Sequence, residues 1–292
     1  MRPLKTLALA AGLALTALPA SAQTAAPSAP WGRYAAARQV ELRDVVAIVQ
    51  VTPENRTDVA VSISNPGPLR APQMRMRGDR LVIDGAMRRQ IRSCTVRGEG
   101  FTVATARNGR LERPQIMTIN IRVPQAAAIS AGGAVRLHMA PAQSTELRLS
   151  GCGDADIERI NDEADIAVSG SPDVRVYEAG SATIAVAGAG DVTLGVVRNG
   201  LTGSIAGSGD LVAARADGPV NIAIQGSGDV TIRDGRATTL SVAIAGSGDV
   251  VHNGSAERLD AVILGSGDVH VRRVDGEVTR RVLGSGEVRV GS

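Results

Sequence analysis

The feature that most constrains this chain is a four-residue turn that returns on schedule. Gly-Ser-Gly-Asp, or a close variant, begins at Gly151, Gly170, Gly188, Gly207, Gly226, Gly246, Gly265 and Gly284. Departures are single substitutions: Cys152 and Ala189 stand at the Ser position, Pro172 at the second Gly and Glu287 at the Asp. A degenerate cycle, Ala131-Gly132-Gly133-Ala134, is read ahead of these, twenty residues before the turn at Gly151. A fixed period near 19 residues implies a repeat architecture, because one such unit cannot bury its apolar face without its neighbours.

The flanking residues show how each unit folds. Two positions before every turn stands a branched aliphatic, from Ile129 and Leu149 through Ile244 and Ile263 to Val282. After the turn comes a column of Val, Leu or Ala (Val135, Ala155, Val192, Val250, Val288), and two residues on another that includes Leu137, Ile157, His252 and Val290. Mostly polar residues such as Arg136, Asp156, Thr193 and Arg289 lie between those columns. Alternation with period two marks a strand with one buried face. A second turn signal falls midway through most units, at Asn199-Gly200, Asp217-Gly218, Asp234-Gly235, Asn253-Gly254 and Asp275-Gly276. Stacking like residues about 4.8 Å apart makes a continuous apolar ladder, roughly 43 Å long for nine cycles. The sequence therefore predicts an all-β fold, a single-stranded parallel β-helix (solenoid) of about 19 residues per coil. A hairpin meander fits less well, since the columns match at every cycle and not every second one.

Composition supports a narrow interior. The chain of 292 residues has 34 Gly but one Phe, two Tyr and one Trp. That much Gly excludes a coiled coil, the absence of a three-residue Gly period excludes collagen, and abundant β-branched residues argue against disorder. At the N-terminus, Arg2 and Lys5 precede an apolar stretch, Leu7 to Leu18, and an Ala20-Ser21-Ala22 cleavage site. This reads as a signal peptide over 1–22, with no transmembrane segment elsewhere. The expected location is therefore exported, in the periplasm or at the cell surface. Residues 23–38, rich in Ala and Pro, are read as a flexible leader. Residues 39–292 are read as the β-helix domain, with irregular opening coils over 39–123 and regular Gly-Ser-Gly-Asp coils over 124–292. Without the signal peptide's two cations the chain holds 30 basic and 29 acidic residues, so no nucleic-acid partner is expected.

Stacked Gly-Ser-Gly-Asp-Val turns resemble those of the adhesin, head GIN-type domain family (DUF2807) of secreted bacterial proteins. Upstream, Leu81-Val82-Ile83-Asp84 and Ile119-Asn120-Ile121-Arg122-Val123-Pro124 are similar to that family's opening strands. The resemblance covers about residues 39 to 292. It implies a right-handed coil and an adhesin-like role without catalytic activity.

Asp154, Asp173, Asp191, Asp210, Asp229, Asp249, Asp268 and Glu287 form an acidic column. Carboxylates 4.8 Å apart repel by ~0.9 kcal/mol per pair in water, so something must offset the charge. Capping of each residue's own turn is the favoured reading, with bound calcium and Arg pairing as alternatives. Cys94 and Cys152, the only cysteines of an exported chain, are expected to form a disulfide. His138, His252 and His270 fall on different columns and are read as structural or surface histidines. Arg272, Arg273, Arg280 and Arg281 form a basic cluster read as a solvated face, and the last coil, Val288-Arg289-Val290, offers an edge for self-association. No catalytic, cofactor-binding or metal-ligating residue is assigned, and no cofactor is expected. The expected function is a non-catalytic adhesin-like module binding a cell-surface polymer or protein at the bacterial envelope. A polysaccharide lyase or hydrolase is the alternative, weakened by the scarcity of sugar-stacking aromatics beyond Tyr177 and Phe101.

Overall fold

A computed structural model of the chain describes residues 32–291. The expected signal peptide, and the leader up to residue 31, lie outside the described residues. The chain is nearly all β, with a solenoid of about nine turns and about 19 residues per turn.

The N-terminal part builds the solenoid's cap and is not laid down in chain order. Strand β1 (Gly32–Tyr34) is followed by β2 (Gln39–Glu54), β3 (Val59–Ser64), β4 (Gln73–Arg77) and β5 (Arg80–Asp84). Next come β6 (Ile91–Arg97), β7 (Gly100–Thr105), β8 (Gly109–Glu112), β9 (Met117–Pro124) and β10 (Ala126–Met139). β2 turns a corner at Asp44, whose φ is 49°. On one side its two halves pair in parallel with β5 and β9. On the other side it pairs in parallel with β10, the first of the regular coils. From β2 in the second layer the chain thus steps outward to the end layer, and returns past β2 to propagate the stack. Antiparallel strands close that end: β3 pairs with β9, β1 with β3, and β4 with β5. Gly32–Tyr34, inside the segment read as leader, is thus a strand of the cap, and Ala37 is fully buried.

Between β5 and β9 the chain leaves the stack altogether. β6, β7 and β8 form a separate three-stranded antiparallel sheet, here called the flap. Its inner face carries Phe101, Val103 and Leu111, all within 1% of complete burial. Residues 39–123 therefore contain one interleaved coil, a cap and an excursion. The chain's only Phe fills the flap, and the coils contain none.

From β10 onward every coil pairs in parallel with the next. A long β strand, β11 (Ser144–Gly188), rounds more than two coils, and later coils alternate strands before and after each turn, such as Leu201–Gly207 and Leu211–Ala216. Leu201, Val220, Leu240 and Leu259 stack in register, as do Ile205, Ile224, Ile244 and Ile263. None of these is more than 1% exposed. Each buried aliphatic of this size contributes about 1.5–3 kcal/mol, so the ladder supplies the stability that no single coil could.

One register departs from the sequence reading. Gly133 lies over Gly151 and Ala131 over Leu149, an offset of eighteen residues, whereas the degenerate cycle was aligned at twenty. Ile129 accordingly stacks on Leu147, two positions away from its expected column. The reason is physical: the corner needs the left-handed glycine, Gly133 with φ 124°, above Gly151.

Candidate functional site

The turn edge of the solenoid is built by what glycine alone permits. Gly246, Gly265 and Gly284 have φ near 150° (151°, 144° and 145°). A Cβ on Gly265 would lie 2.1 Å from the Gly246 carbonyl oxygen, and one on Gly267 would lie 2.1 Å from that of Gly248. In these later turns the first glycine is thus required by backbone conformation and by contact, the second by contact alone.

The acidic column sits beside these glycines, and its carboxylates reach across coils instead of into their own turns. The Asp210 amide donates to the Asp191 carboxylate at 2.9 Å, Asp229 to Asp210 at 2.9 Å, and Asp249 to Asp229 at 2.8 Å. The series runs from Asp173 to Glu287, whose amide donates to Asp268 at 2.8 Å. The backbone completes each rung in the other direction: the Val192 amide donates to the Asp210 carbonyl, and the Val250 amide to that of Asp268. Each carboxylate holds the coil above it. Arginine pairing is confined to the ends, at Arg136–Asp154 (3.6 Å), Arg289–Asp268 (3.9 Å) and Arg289–Glu287 (2.6 Å).

Asp154 departs from the series. It is 17% exposed, its Oδ1 has no hydrogen-bond partner, and Arg136 is its ion pair. Burial pushes its carboxyl up to about 6; Arg136 opposes that shift, while Asp156 and Asp173 add to it. Asp154, Asp156, Asp173, Asp191, Arg136 and Arg175 line a polar cleft of about 460 Å³, which Val96 and Gly98 of the flap roof over. Cys94 of β6 is disulfide-bonded to Cys152, with a Cα separation of 6.2 Å. Cys152 occupies the Ser position of the first strong turn, so the flap is stapled to the corner where the regular coils begin.

The three histidines stay apart. His138 meets Glu158 at 3.1 Å on the surface. His252 is fully buried between Ile232 and Val271 in the ladder, its Nε2 3.2 Å from the Ser255 carbonyl and its Nδ1 without a partner. Burial lowers its pKa, so it is held neutral. His270 lies on the outward side of its strand, paired with Val251 and Arg289. Of the C-terminal basic cluster, Arg273 pairs with Asp275 and Arg272 reaches the Asn253 carbonyl, whereas Arg280 and Arg281 have no partner among the described residues. The same coil exposes Val278, Val282, Leu283 and Val290.

Sequence reasoning missed the charge distribution. A net charge of +1 conceals two opposed segments: residues 70–113 hold eleven arginines and four acids, residues 144–268 hold eight arginines and eighteen acids. A running charge sum along the chain would have found it. The first segment is the cap edge and flap; the second is the body of the coils.

These features define a class: a parallel β-solenoid of short coils with an antiparallel cap at its N-terminal end. Its C-terminal coils, residues 201–292, match the family DUF2807, described as "Putative auto-transporter adhesin, head GIN domain". No curated protein matches the chain. Among solved structures, a "putative adhesin" from Parabacteroides distasonis is similar at 15% identity, over 89% of this chain and 96% of that one, with a TM-score of 0.52. A "putative lipid binding protein" from the same species aligns over 90% and 96% at 15% identity (TM-score 0.47), and a "putative adhesin" from Parabacteroides merdae does so with the same figures and a TM-score of 0.46. At 15% identity the first of these likenesses is one of fold.

Proposed function

We propose that this protein is an exported, non-catalytic adhesin-like module that binds or scaffolds at the bacterial cell envelope. The observation that carries the reading is the use of the repeated polar groups: from Asp173 onward the turn carboxylates are engaged by amides of the next coil. The most repeated chemistry of the chain is thus spent on holding a rod together. The rod leaves broad sheet faces outward, and Thr183, Thr202, Asn221 and Ser241 follow one another on one of them. Long regular faces of small neutral side chains suit contact with an extended surface better than enclosure of a small substrate.

The test is binding of labelled mature protein to isolated bacterial envelopes, beside a reducing-end assay on envelope and plant polysaccharides. Saturable envelope binding with no new reducing ends is expected. Release of reducing ends would replace this reading with the carbohydrate-active one, and absence of both would end it.

A further inference from the structure

We propose that the cap edge and flap, residues 70–113, are the surface by which the rod stands end-on against an anionic phospholipid membrane. The proposal rests on the envelope reading for location only. Its first support is the charge segregation: this segment carries a net +7, while residues 144–268 of the same chain carry −10. With a Debye length of about 8–10 Å in physiological salt, the acidic coils beyond Asp191, where the cleft under the flap ends, are screened from a surface at the capped end.

The second support is what the arginines do. The side chains of Arg70, Arg77, Arg88, Arg89, Arg92, Arg97 and Arg107 are all exposed and make no hydrogen bond or ion pair among the described residues. Only four other arginines of the described chain are in that condition: Arg38, Arg233, Arg280 and Arg281. In the acidic coils, by contrast, arginines such as Arg159, Arg175 and Arg215 are paired with carboxylates. The positive charge at the capped end is therefore left available, and guanidinium suits the paired oxygens of a phosphate.

The third support separates a membrane from a soluble polyanion. β4, an antiparallel edge strand of the cap, alternates Arg75 and Arg77 with Met74 and Met76. The two methionines are 41% and 38% exposed, although their cross-strand neighbours Ile83 and Leu81 are fully buried. Apolar side chains interleaved with cations at one rim are the composition that interfacial binding to anionic lipid requires. An acidic coil of a second copy would use the arginines but not the methionines.

The experiment is vesicle co-sedimentation of the mature chain with phosphatidylcholine vesicles, pure or containing phosphatidylglycerol, at low and high salt. Binding to the phosphatidylglycerol vesicles alone, lost at high salt, is expected. Arg77→Glu/Arg88→Glu/Arg89→Glu/Arg97→Glu should weaken it at least tenfold, Met74→Ser/Met76→Ser should weaken it severalfold, and the control Arg280→Glu/Arg281→Glu should leave it unchanged. These residues are exposed, and matching melting curves establish that the variants fold. Equal binding to pure phosphatidylcholine, or a quadruple variant that binds like the parent, would overturn the proposal. Salt-sensitive self-association without vesicle binding would overturn it in favour of a second copy, and vesicle binding unaffected by the methionine changes but competed by soluble polyphosphate would overturn it in favour of a polyanion. Envelope binding that survives without vesicle binding sinks this inference and spares the envelope reading; the converse sinks that reading and spares this one.

Discussion

The backbone amide of Asp268 donates a 2.7 Å hydrogen bond to the carboxylate of Asp249, one coil below. The side chain that seals one coil's turn is thus the acceptor for the next, and the acidic column is a set of rungs. Two consequences oppose each other at every rung: the hydrogen bond favours stacking, and neighbouring carboxylates repel.

Asp249→Ala and Asp249→Asn separate those effects. Alanine removes the acceptor and should cost about 0.5–1.5 kcal/mol, the net worth of one hydrogen bond at a partly solvated edge. Asparagine keeps an oxygen acceptor and removes a charge, so it should melt at or slightly above the parent temperature. Calcium should leave both melting curves and the parent's unmoved. A calcium-dependent rise in the parent would show that the carboxylates serve a cation and not the amides.

Much of this edge was legible in the sequence because a solenoid copies its local solution at every coil. The glycine positions, the inward column from Leu149 to Ile263 and the Cys94–Cys152 link all followed from spacing or composition, whereas Val282, read into the same column, is exposed in the last coil. What escaped was non-local. That the Asp191 carboxylate serves Asp210 and not its own turn depends on the coil-to-coil register, which no single turn encodes. The detour of β2 between β10 and the end layer was hidden for the same reason, since Val45 to Val51 reads as an ordinary strand wherever it is placed. The misplaced first cycle shows the limit of motif matching: Gly132 and Gly133 look alike in sequence, and only the stack selects Gly133 as the left-handed corner.

The flap's attachment is testable through its single covalent tie. Cys94 and Cys152 are 58 residues apart, and closing a loop of that length is worth roughly 4 kcal/mol in the chain-entropy model. Cys94→Ser/Cys152→Ser should therefore lower the melting temperature, and limited proteolysis should cut first within residues 85–116. Dithiothreitol should reproduce both effects in the parent and change neither in the double variant. A parent that resists proteolysis equally when reduced would show that the apolar inner face, Phe101, Val103 and Leu111, holds the flap unaided.

Asp154 gives the corner beneath the flap an unusual pH response. Its carboxyl is raised to about 6, mainly by burial, from an ordinary value of 3.8. A carboxyl with a raised folded pKa binds its proton more tightly when folded, so stability rises as pH falls through about 6 and the gain is complete below about 4. The shift corresponds to on the order of 2 kcal/mol once residual exposure is allowed for. Denaturant titrations from pH 7.5 to about 4.5 should show this gain in the parent, and Asp154→Asn should abolish it. An identical pH profile in the two proteins would contradict the assignment.

His252 acts with the opposite sign. Burial lowers its pKa below 6.5 and the folded chain keeps it neutral, whereas the unfolded chain takes up the proton. Its contribution to stability is therefore present above pH 6.5 and is lost progressively as pH falls below it. At neutral pH it also leaves Nδ1 buried without a partner, in a ladder position whose neighbours are Ile232 and Val271. His252→Leu is close in volume and removes that atom at the expense of the bond to the Ser255 carbonyl. It should stabilise the fold by about 1 kcal/mol at pH 7 and by more at pH 5, where the parent carries the protonation penalty. Paired denaturation curves of parent and variant at the two pH values check this directly. A variant less stable than the parent at pH 5 would mean that the His252–Ser255 contact outweighs both the orphaned nitrogen and the proton linkage.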